Sequence, residues 1–424
     1  MGSLFETEVL GPEGQDWRVP VSELEHRIEL LSRALQENNI PGVFTQHPVD
    51  LYYFSGGRQN ATLFVPASGS KASKENGGEG PVLMVRRSLS RAKFEAGDGN
   101  SPYEIVPFPR MKTLVEFLQQ RGVEQAPALQ FGGIPFDFAS RFTSILSPLG
   151  ICKDATSIIH QIREIKSQWE VQQMKASAQI QAKMFEAVES KLKLGVSELE
   201  LVAAAEEVSR SEGFGGNIQM RRFPLQCDRG VIVSGRAGGI PSFFDSAIGG
   251  TGAHPLSGMG SGFRKIKQNE PILVDLVHVH RGYVVDKTRM FSIGKLTNNW
   301  YQRLEDMVEV SNTIVSSLGA GEHCSKAWEE GSQLAYQMGY GDNLMGMKPD
   351  QSKFLGHSVG LQLDESPVVA SGFDRPLPVG GTMAIEPKVV YNDGSIGIED
   401  TWIRGSEGLE CITNSVRTDW LVEV

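Results

Sequence analysis

The sequence has 424 residues, 40% of them hydrophobic and 22% charged, which is enough apolar material for one large domain or two smaller ones. The formal net charge is -10. Lys and Arg form no cluster, which excludes nucleic acid as a partner because phosphate binding needs concentrated positive charge.

Targeting signals and cysteines both favour a cytoplasmic protein. Residues 1–17 lack a basic region followed by an apolar run, so we expect no secretory signal there. Glu6 stands where N-myristoylation needs Ser or Thr. No run approaches roughly eighteen apolar residues, so we expect no membrane span. The four cysteines are scattered without CxxC spacing, which is typical of reduced thiols.

The N-terminal part of the chain is predicted to form an α/β unit. A helix is predicted over 22–39, and short strands are predicted over 42–46, 61–67 and 81–87. The small, polar and glycine-rich insert 68–80 predicts a loop. This half has no paired acids, no glycine-rich phosphate loop and no histidine cluster, so we do not expect it to perform chemistry.

The rest of the chain alternates helices with hairpin-like β-runs. A long helical segment is predicted over 162–195, ending at Gly195. Amphipathic helices are predicted over 197–213, 300–321 and 324–341. Helices grouped around an antiparallel sheet indicate the α+β class.

Two acids lie on the first predicted hairpin, residues 272–291. With His280 and Arg281 at its centre, positions whose numbers sum to 561 lie opposite each other, which pairs Asp275 with Asp286. Directly opposed residues share a face of the sheet, with their Cβ atoms about 5 Å apart. Two ionised carboxylates so placed repel each other, and burial increases the repulsion.

A second predicted hairpin, residues 382–403, repeats this arrangement. Its Asn-Asp-Gly turn places Glu386 opposite Glu399, whose numbers sum to 785. Between the two hairpins lies His357, flanked by glycines in GHSVG, which leave the imidazole little side-chain crowding.

Four carboxylates and one neutral imidazole carry a formal charge of about -4, which two divalent cations would balance. Oxygen-rich ligation with one nitrogen suits Mn²⁺, Zn²⁺, Co²⁺ or Fe²⁺. Such a pair of ions would activate water and polarise a carbonyl. One alternative stays open: each Asp is a turn cap or an ion-pair partner of Arg289 or Lys287. His278 and His280 lie on the opposite strand face from Asp275, so we do not expect them to be ligands.

The stretches VDLVHVHRGYVVDKTRMF, GHSVGL, IEP and IED resemble the pita-bread metallopeptidase family, which contains methionine aminopeptidase, aminopeptidase P, prolidase and creatinase. The resemblance implies a creatinase-type α/β domain over 1–156 and an α+β pita-bread catalytic domain over 157–424. It implies two divalent ions per chain (Mn, Zn, Co or Fe). Glu386 is then expected to accept the nucleophile's proton. The implied metal ligands are Asp275, Asp286, His357, Glu386 and Glu399.

The resemblance also implies a substrate. Two-domain members of the family usually act on peptides with proline in the second position, so we expect an Xaa-Pro aminopeptidase or dipeptidase that takes short peptides and forms a homodimer. Two alternatives stay open. One is a pita-bread relative with C–N hydrolase or lyase chemistry on a non-peptide substrate. The other is a non-catalytic peptide-binding module.

One further position agrees with the pattern of the proline-specific enzymes, and three depart from it. His254, 21 residues before Asp275, aligns with a histidine that helps to bind substrate. Asp364 replaces a second histidine that contacts substrate and steadies charge in the transition state. Gly397 replaces an arginine. Lys388 replaces the glycine of the usual EPG. We expect it to be an exposed hairpin lysine, and the alternative is that it delivers positive charge near the site. These departures concern substrate contacts more than metal binding.

Overall fold

The computed structural model describes residues 11, 14–97, 99–222, 226–227, 230–413 and 419–424. Residues 1–10, where we expect no targeting signal, lie outside this range. The chain forms two units, Met1–Arg163 and Glu164–Val424. The predicted domain boundary after residue 156 precedes this division by 163 − 156 = 7 residues.

The N-terminal unit is built on a four-stranded sheet. Its strands are β1 (Gly42–Thr45), β2 (Ala61–Pro66), β3 (Val82–Val85) and β4 (Glu104–Pro107). They lie in the order β1-β2-β3-β4, with the first two pairs antiparallel and the last pair parallel. The predicted loop 68–80 contains one 3-10 turn, Lys74–Asn76.

The helices of this part of the chain are α1 (Val21–Glu37), α2 (Pro48–Ser55), α3 (Leu89–Glu95), α4 (Leu114–Gln120), α5 (Phe136–Leu146) and α6 (Thr156–Glu164). The core lies where α4 and α5 meet the sheet. There Phe44 contacts Phe64 and Phe142 edge to face, at centroid distances of 5.8 and 6.0 Å. The predicted α/β character of this unit is confirmed.

The helices of the C-terminal unit are α7 (Gln168–Lys191), α8 (Glu198–Ser211), α9 (Asn298–Gly319) and α10 (Cys324–Gln337). The prediction of one continuous helix over 162–195 was wrong, because α6 ends at Glu164 and α7 begins after Ser167. The Ser167 side chain accepts from the Glu170 amide and the Glu170 side chain accepts from the Ser167 amide, which is a capping box that starts a new helix.

The strands of this unit form two larger sheets and two small hairpins. They are β5 (Ile218–Gln219), β6 (Gln226–Cys227), β7 (Gly230–Ser234), β8 (Ile272–His280), β9 (Tyr283–Ser292), β10 (Phe354–Ser358), β11 (Glu365–Ala370), β12 (Thr382–Ile385), β13 (Lys388–Tyr391), β14 (Gly394–Gly397), β15 (Asp400–Arg404), β16 (Leu409–Cys411) and β17 (Leu421–Glu423). The first larger sheet has the order β17-β9-β8-β7, in which β8 pairs antiparallel with β9 and β7, and β9 pairs parallel with β17. The second larger sheet has the order β11-β10-β12-β15-β16 and is antiparallel throughout. The small hairpins are β5-β6 and β13-β14.

The β8–β9 hairpin has a different register from the predicted one. Opposed positions sum to 563, so Asp275 faces Thr288 and Asp286 faces Val277. The turn is Arg281-Gly282, both with positive φ (52° and 97°), as a two-residue type I′ hairpin requires. The predicted direct opposition of the two aspartates was therefore wrong. The shift of two positions preserves the face, so both side chains still lie on the same side of the sheet.

The second hairpin has the predicted register. Ile385 pairs with Asp400 and Lys388 pairs with Gly397, so both ladders sum to 785 and bracket Glu386 and Glu399. An antiparallel bridge between Thr288 and Glu399 joins this hairpin to β9. The two larger sheets therefore meet at the acids.

A large core of the unit packs α9 and α10 against the second sheet. Leu304, Ile314 and Ala327 of the helices join Leu355 and Met383 of the strands in this buried cluster. Rigid packing behind the strands fixes the positions of the side chains that the strands carry. No helix in the described part of the chain combines the length and the apolar composition that crossing a bilayer requires.

Candidate metal centre

All five predicted ligands line one cavity of about 160 Å³. Asp275 and Asp286 come from β8 and β9, His357 comes from β10, and Glu386 and Glu399 lie between the ladders of the second hairpin. The His357 Nε2 atom is 3.3 Å from Glu386 Oε1 and 4.0 Å from Glu399 Oε1. Asp286, His357 and Glu399 each offer a ligand atom within 4.8 Å of the other two. The five residues are therefore brought together as the sequence predicts.

Hydrogen bonds hold the strands of this cluster in place. Thr288 Oγ1 donates to Glu399 Oε2 at 2.9 Å, and Thr401 Oγ1 donates to the Asp286 carbonyl at 2.9 Å while accepting from the Asp286 amide at 3.0 Å. Arg289 Nη2 donates to both carboxylate oxygens of Asp400, at 3.0 Å to Oδ1 and 2.9 Å to Oδ2. These contacts orient the ligand-bearing strands from behind.

Lys388 occupies the centre of the cluster. Its side chain is fully buried, with 0% exposed. Its Nζ atom donates to Glu386 Oε2 at 2.7 Å and to Glu399 Oε2 at 2.8 Å, and lies 3.5 Å from Asp275 Oδ2. The prediction that Lys388 is exposed was wrong. A cation that is part of the protein contacts three of the four acids.

Burial strongly affects the carboxylates of the cluster. It raises the pKa of Asp275 and Glu399, although Lys388 opposes the rise in both. Burial raises the pKa of Asp286 well above its ordinary value, and the charges of Glu399 and Asp275 add to this effect. A carboxyl with a raised pKa keeps its proton more readily, because its surroundings stabilise the charged form less than water does. The cations of the protein therefore do not stabilise all four acids in their charged form.

For Glu386 and His357, the charges of their neighbours outweigh the effect of burial on the pKa. Burial raises the pKa of Glu386, but Lys388 and His357 together lower it to about 2. Burial lowers the pKa of His357, but Glu386 and Glu399 raise it to about 9. For Lys388, burial lowers the pKa, and the three acids around it outweigh this and raise it well above the ordinary value. Lys388 is therefore charged at neutral pH.

The donor set fits a divalent ion on one side of the cluster. Asp286 Oδ1 and Glu399 Oε1 are buried and have no hydrogen-bond partner among the described residues. Glu399 Oε1 lies 4.0 Å from His357 Nε2, and Asp286 offers a ligand atom within 4.8 Å of both residues. Two carboxylate oxygens and one imidazole nitrogen are the ligands that Mn²⁺, Zn²⁺, Co²⁺ or Fe²⁺ prefers. These three residues therefore fit a metal ion.

The other predicted site residues differ in position. Asp364 lines the cavity and is buried, and its carboxylate accepts from the backbone amides of Arg221 and Arg222 at 2.5 and 2.9 Å. His254 is exposed and is not among the residues that line the cavity. His278 is buried beside Ser209, with 2.9 Å between its Nδ1 atom and the serine Oγ. The structure thus brings Asp364 to the cluster and leaves His254 outside it.

Thr288 was not predicted to belong to the centre, and a position of Lys388 near the site was only the alternative to an exposed lysine. A signal for Lys388 was present, because the sum of 785 that pairs the glutamates also pairs Lys388 with Gly397. Both positions depart from the usual family pattern. Thr288 carries no comparable signal, since its role depends on the bridge between two sheets.

Comparison with known families is decisive. Residues 172–403 match the family model of metallopeptidase family M24, which is more than half of the chain. The chain belongs to metallopeptidase family M24. Residues 27–165 match the Creatinase/Prolidase N-terminal domain. The predicted family, the two-domain α+β fold and the metallopeptidase class are confirmed, and membership of the family implies divalent metal ions.

Relatives and solved structures agree with this M24 assignment. The chain is 22% identical to an Xaa-Pro dipeptidase of Pyrococcus furiosus over 398 residues, 93% of this chain and 99% of that protein. An Xaa-Pro dipeptidase structure from Bacillus anthracis superposes with a TM-score of 0.76 at 20% identity, covering 95% of this chain and 100% of the other. An X-Pro aminopeptidase structure from Thermotoga maritima has a TM-score of 0.73 at 18% identity, covering 92% and 99%. The two structures support the fold of this M24 protein.

Proposed function

We propose that this M24 protein is a metal-dependent peptidase that cleaves Xaa-Pro bonds at the N-terminus of short peptides. One observation carries the proposal: Asp286, His357 and Glu399 offer ligand atoms within 4.8 Å of one another at the wall of a cavity. The names of the relatives support the substrate class, since they include an Xaa-Pro dipeptidase and an X-Pro aminopeptidase.

The protein side chains have distinct roles in this proposal. A divalent ion held by Asp286, His357 and Glu399 would activate water and polarise the scissile carbonyl. Glu386 is kept ionised by Lys388 and is therefore in the form that accepts a proton. Its Oε2 atom already accepts from Lys388. We propose that Oε1 takes the proton of the attacking water.

The cavity walls support a small, partly apolar substrate. Its apolar wall suits a pyrrolidine ring, and Arg222, whose side chain is 54% exposed, offers a counter-ion for the C-terminal carboxylate of a dipeptide. The apolar lining residues are Met220, Val231, Phe244, Met259, Val277, Phe354, Leu363 and Val368.

Two departures favour keeping a second candidate. Asp364 in place of a histidine is an acceptor in its ionised form and cannot donate a proton to substrate. Gly397 in place of an arginine removes a cationic side chain from its usual strand. A C–N hydrolase or lyase acting on a non-peptide substrate is therefore the alternative.

The proposal extends to the metal, the compartment and the oligomeric state of the protein. The proposed metal is Mn²⁺, Zn²⁺, Co²⁺ or Fe²⁺. The protein acts in the cytoplasm, as four unpaired cysteines suggest. It forms a homodimer, as its resemblance to two-domain family members implies. His254 remains a proposed substrate contact.

A substrate screen tests the proposed function. The purified protein is incubated with each of the four ions separately and with Xaa-Pro dipeptides, Xaa-Pro tripeptides and matched Xaa-Ala peptides. We expect hydrolysis of the proline peptides with at least one ion and much slower hydrolysis of the alanine peptides. Hydrolysis of neither class with any ion contradicts the proposed function and favours the non-peptide alternative.

A pair of variants shows whether any activity comes from the centre. Asp286→Asn keeps the side-chain shape but removes a charged ligand atom, so we expect a loss of at least about 100-fold in kcat/KM. Asp245→Asn is the matched control, because Asp245 is exposed at the same cavity and lies outside the ligand set. Equal rates in the two variants would assign the activity to another site or to a contaminant.

A further inference from the structure

The ammonium group of Lys388 lies where the sequence pattern predicts metal. It contacts Glu386 Oε2 at 2.7 Å, Glu399 Oε2 at 2.8 Å and Asp275 Oδ2 at 3.5 Å. A fully buried ammonium persists only when carboxylates pair with it, because a lone charge is strongly disfavoured away from water. The acids and the lysine therefore stabilise each other without any ion.

Gly397 provides the space for this lysine. It is the cross-strand partner of Lys388 in the β13–β14 hairpin. A Cβ atom at Gly397 would lie 2.7 Å from both Cα and Cγ of Lys388, and 2.5 Å from the Pro387 carbonyl oxygen. Contacts this short are sterically forbidden, so any larger residue at position 397 would displace the lysine stem. The position of the Lys388 side chain therefore depends on glycine at position 397.

The two positions also exchange their charges relative to the family pattern described above. That pattern has glycine at the position of Lys388 and arginine at the position of Gly397. In this chain the cation stands on the other strand of the same residue pair. The net charge of the pair is unchanged, and in this chain its cationic end contacts the carboxylates.

Two buried carboxylate oxygens of the cluster have no contact with Lys388. They are Asp286 Oδ1 and Glu399 Oε1, both without a hydrogen-bond partner among the described residues. His357 Nε2 lies 4.0 Å from Glu399 Oε1, and Asp286, His357 and Glu399 each offer a ligand atom within 4.8 Å of the other two. This set is sufficient for one divalent ion. The Oδ2 atom of Asp275 lies 3.5 Å from the ammonium nitrogen.

We propose that the ammonium of Lys388 replaces one of the two metal ions, so that the centre binds a single divalent ion at Asp286, His357 and Glu399. This deepens the proposed function and rests on it for the chemistry. A second ion would need the oxygens of Asp275 and Glu399 that face the ammonium. It would also lie beside a like charge in a buried site, where repulsion is strong.

Metal stoichiometry tests the proposal without reference to turnover. The full-length protein is stripped with chelator, saturated with Mn²⁺, freed of loose ions by gel filtration and analysed by plasma mass spectrometry. We expect about one ion per chain in the wild type and about two in Lys388→Gly. Lys388→Ala also removes the ammonium and should bind about two ions, which provides a second route when the glycine variant fails to fold.

Lys166→Met is the matched control. Lys166 is also buried and paired with a carboxylate of the same unit, 3.1 Å from Glu365 Oε2. It should bind the same number of ions as the wild type. Two ions or none in the wild type, or no gain in a folded Lys388 variant, overturns the proposal. A wild type with one ion that hydrolyses no Xaa-Pro peptide refutes only the proposed function.

Discussion

Replacing Lys388 by methionine removes the ammonium while keeping an unbranched stem of similar length. The variant loses the two hydrogen bonds of 2.7 and 2.8 Å to Glu386 and Glu399. The buried carboxylates of Glu386 and Glu399 and the partly buried carboxylate of Asp275 then face one another without their cation. Removing one partner of a buried ion pair typically costs about 3–5 kcal/mol in the free energy of unfolding.

This loss corresponds to a large shift in melting temperature. The C-terminal unit spans residues 164–424, and for a domain of about this size 1 kcal/mol shifts Tm by about 2–4 °C. In chelator, Lys388→Met should therefore melt about 6–20 °C below the wild type. The difference should shrink as the pH falls, because protonation of the carboxylates removes their mutual repulsion.

Added metal should reverse part of the loss. Each ion at about 100 times its dissociation constant stabilises the folded state by about 2.7 kcal/mol, which is roughly 5–11 °C here. Differential scanning calorimetry with EDTA and then with Mn²⁺ measures both effects. Lys166→Met should melt lower than the wild type and gain no more from Mn²⁺ than the wild type does. A Lys388→Met variant that melts within about 2 °C of the wild type in EDTA refutes the role of the ammonium.

Two further predictions concern Asp364 and His278. Asp364→His supplies a proton donor at the cavity, so the ratio of kcat for Xaa-Pro peptides to kcat for Xaa-Ala peptides should rise by about tenfold or more. The control variant Asp245→His should leave this ratio unchanged. An unchanged ratio in Asp364→His would indicate that Asp364 serves a different substrate. Burial lowers the pKa of His278 to about 3 from its ordinary 6.5. Between about pH 6.5 and pH 3 the histidine therefore binds a proton only in the unfolded chain, and the free energy of unfolding falls as the pH drops through this range. Between about pH 7 and pH 5 the wild type should lose about 2 kcal/mol more than His278→Gln in urea unfolding, and equal losses would contradict the pKa shift.

The local elements were largely predictable because each has a local cause. The amphipathic helices α8, α9 and α10 lie at the predicted positions. The Asn-Asp-Gly turn centres the second hairpin and so sets its register at 785. The first hairpin shows how small an error suffices: a turn placed one residue too early changes every cross-strand partner, yet it leaves Asp275 and Asp286 on one face.

The break between α6 and α7 also has a local cause. The Ser167-x-x-Glu170 capping box stops one helix and starts the next, and hydrophobic spacing alone does not detect it. Apolar periodicity continues through such a junction because both helices bury a face. A cap outweighs periodicity here because its hydrogen bonds satisfy the free amides of the new helix.

The identity of the five predicted ligand side chains and their order along the chain come from the sequence, as does the turn that sets Glu386 against Glu399. Which cation sits among them was decided only by the tertiary structure. Whether Lys388 faces solvent or the acids depends on the empty space above Gly397 and on the bridge from Thr288 that brings β9 to the second hairpin. The first contact lies within one hairpin, but the second joins residues 111 positions apart in the sequence. Burial of a charge is a property of all its neighbours together.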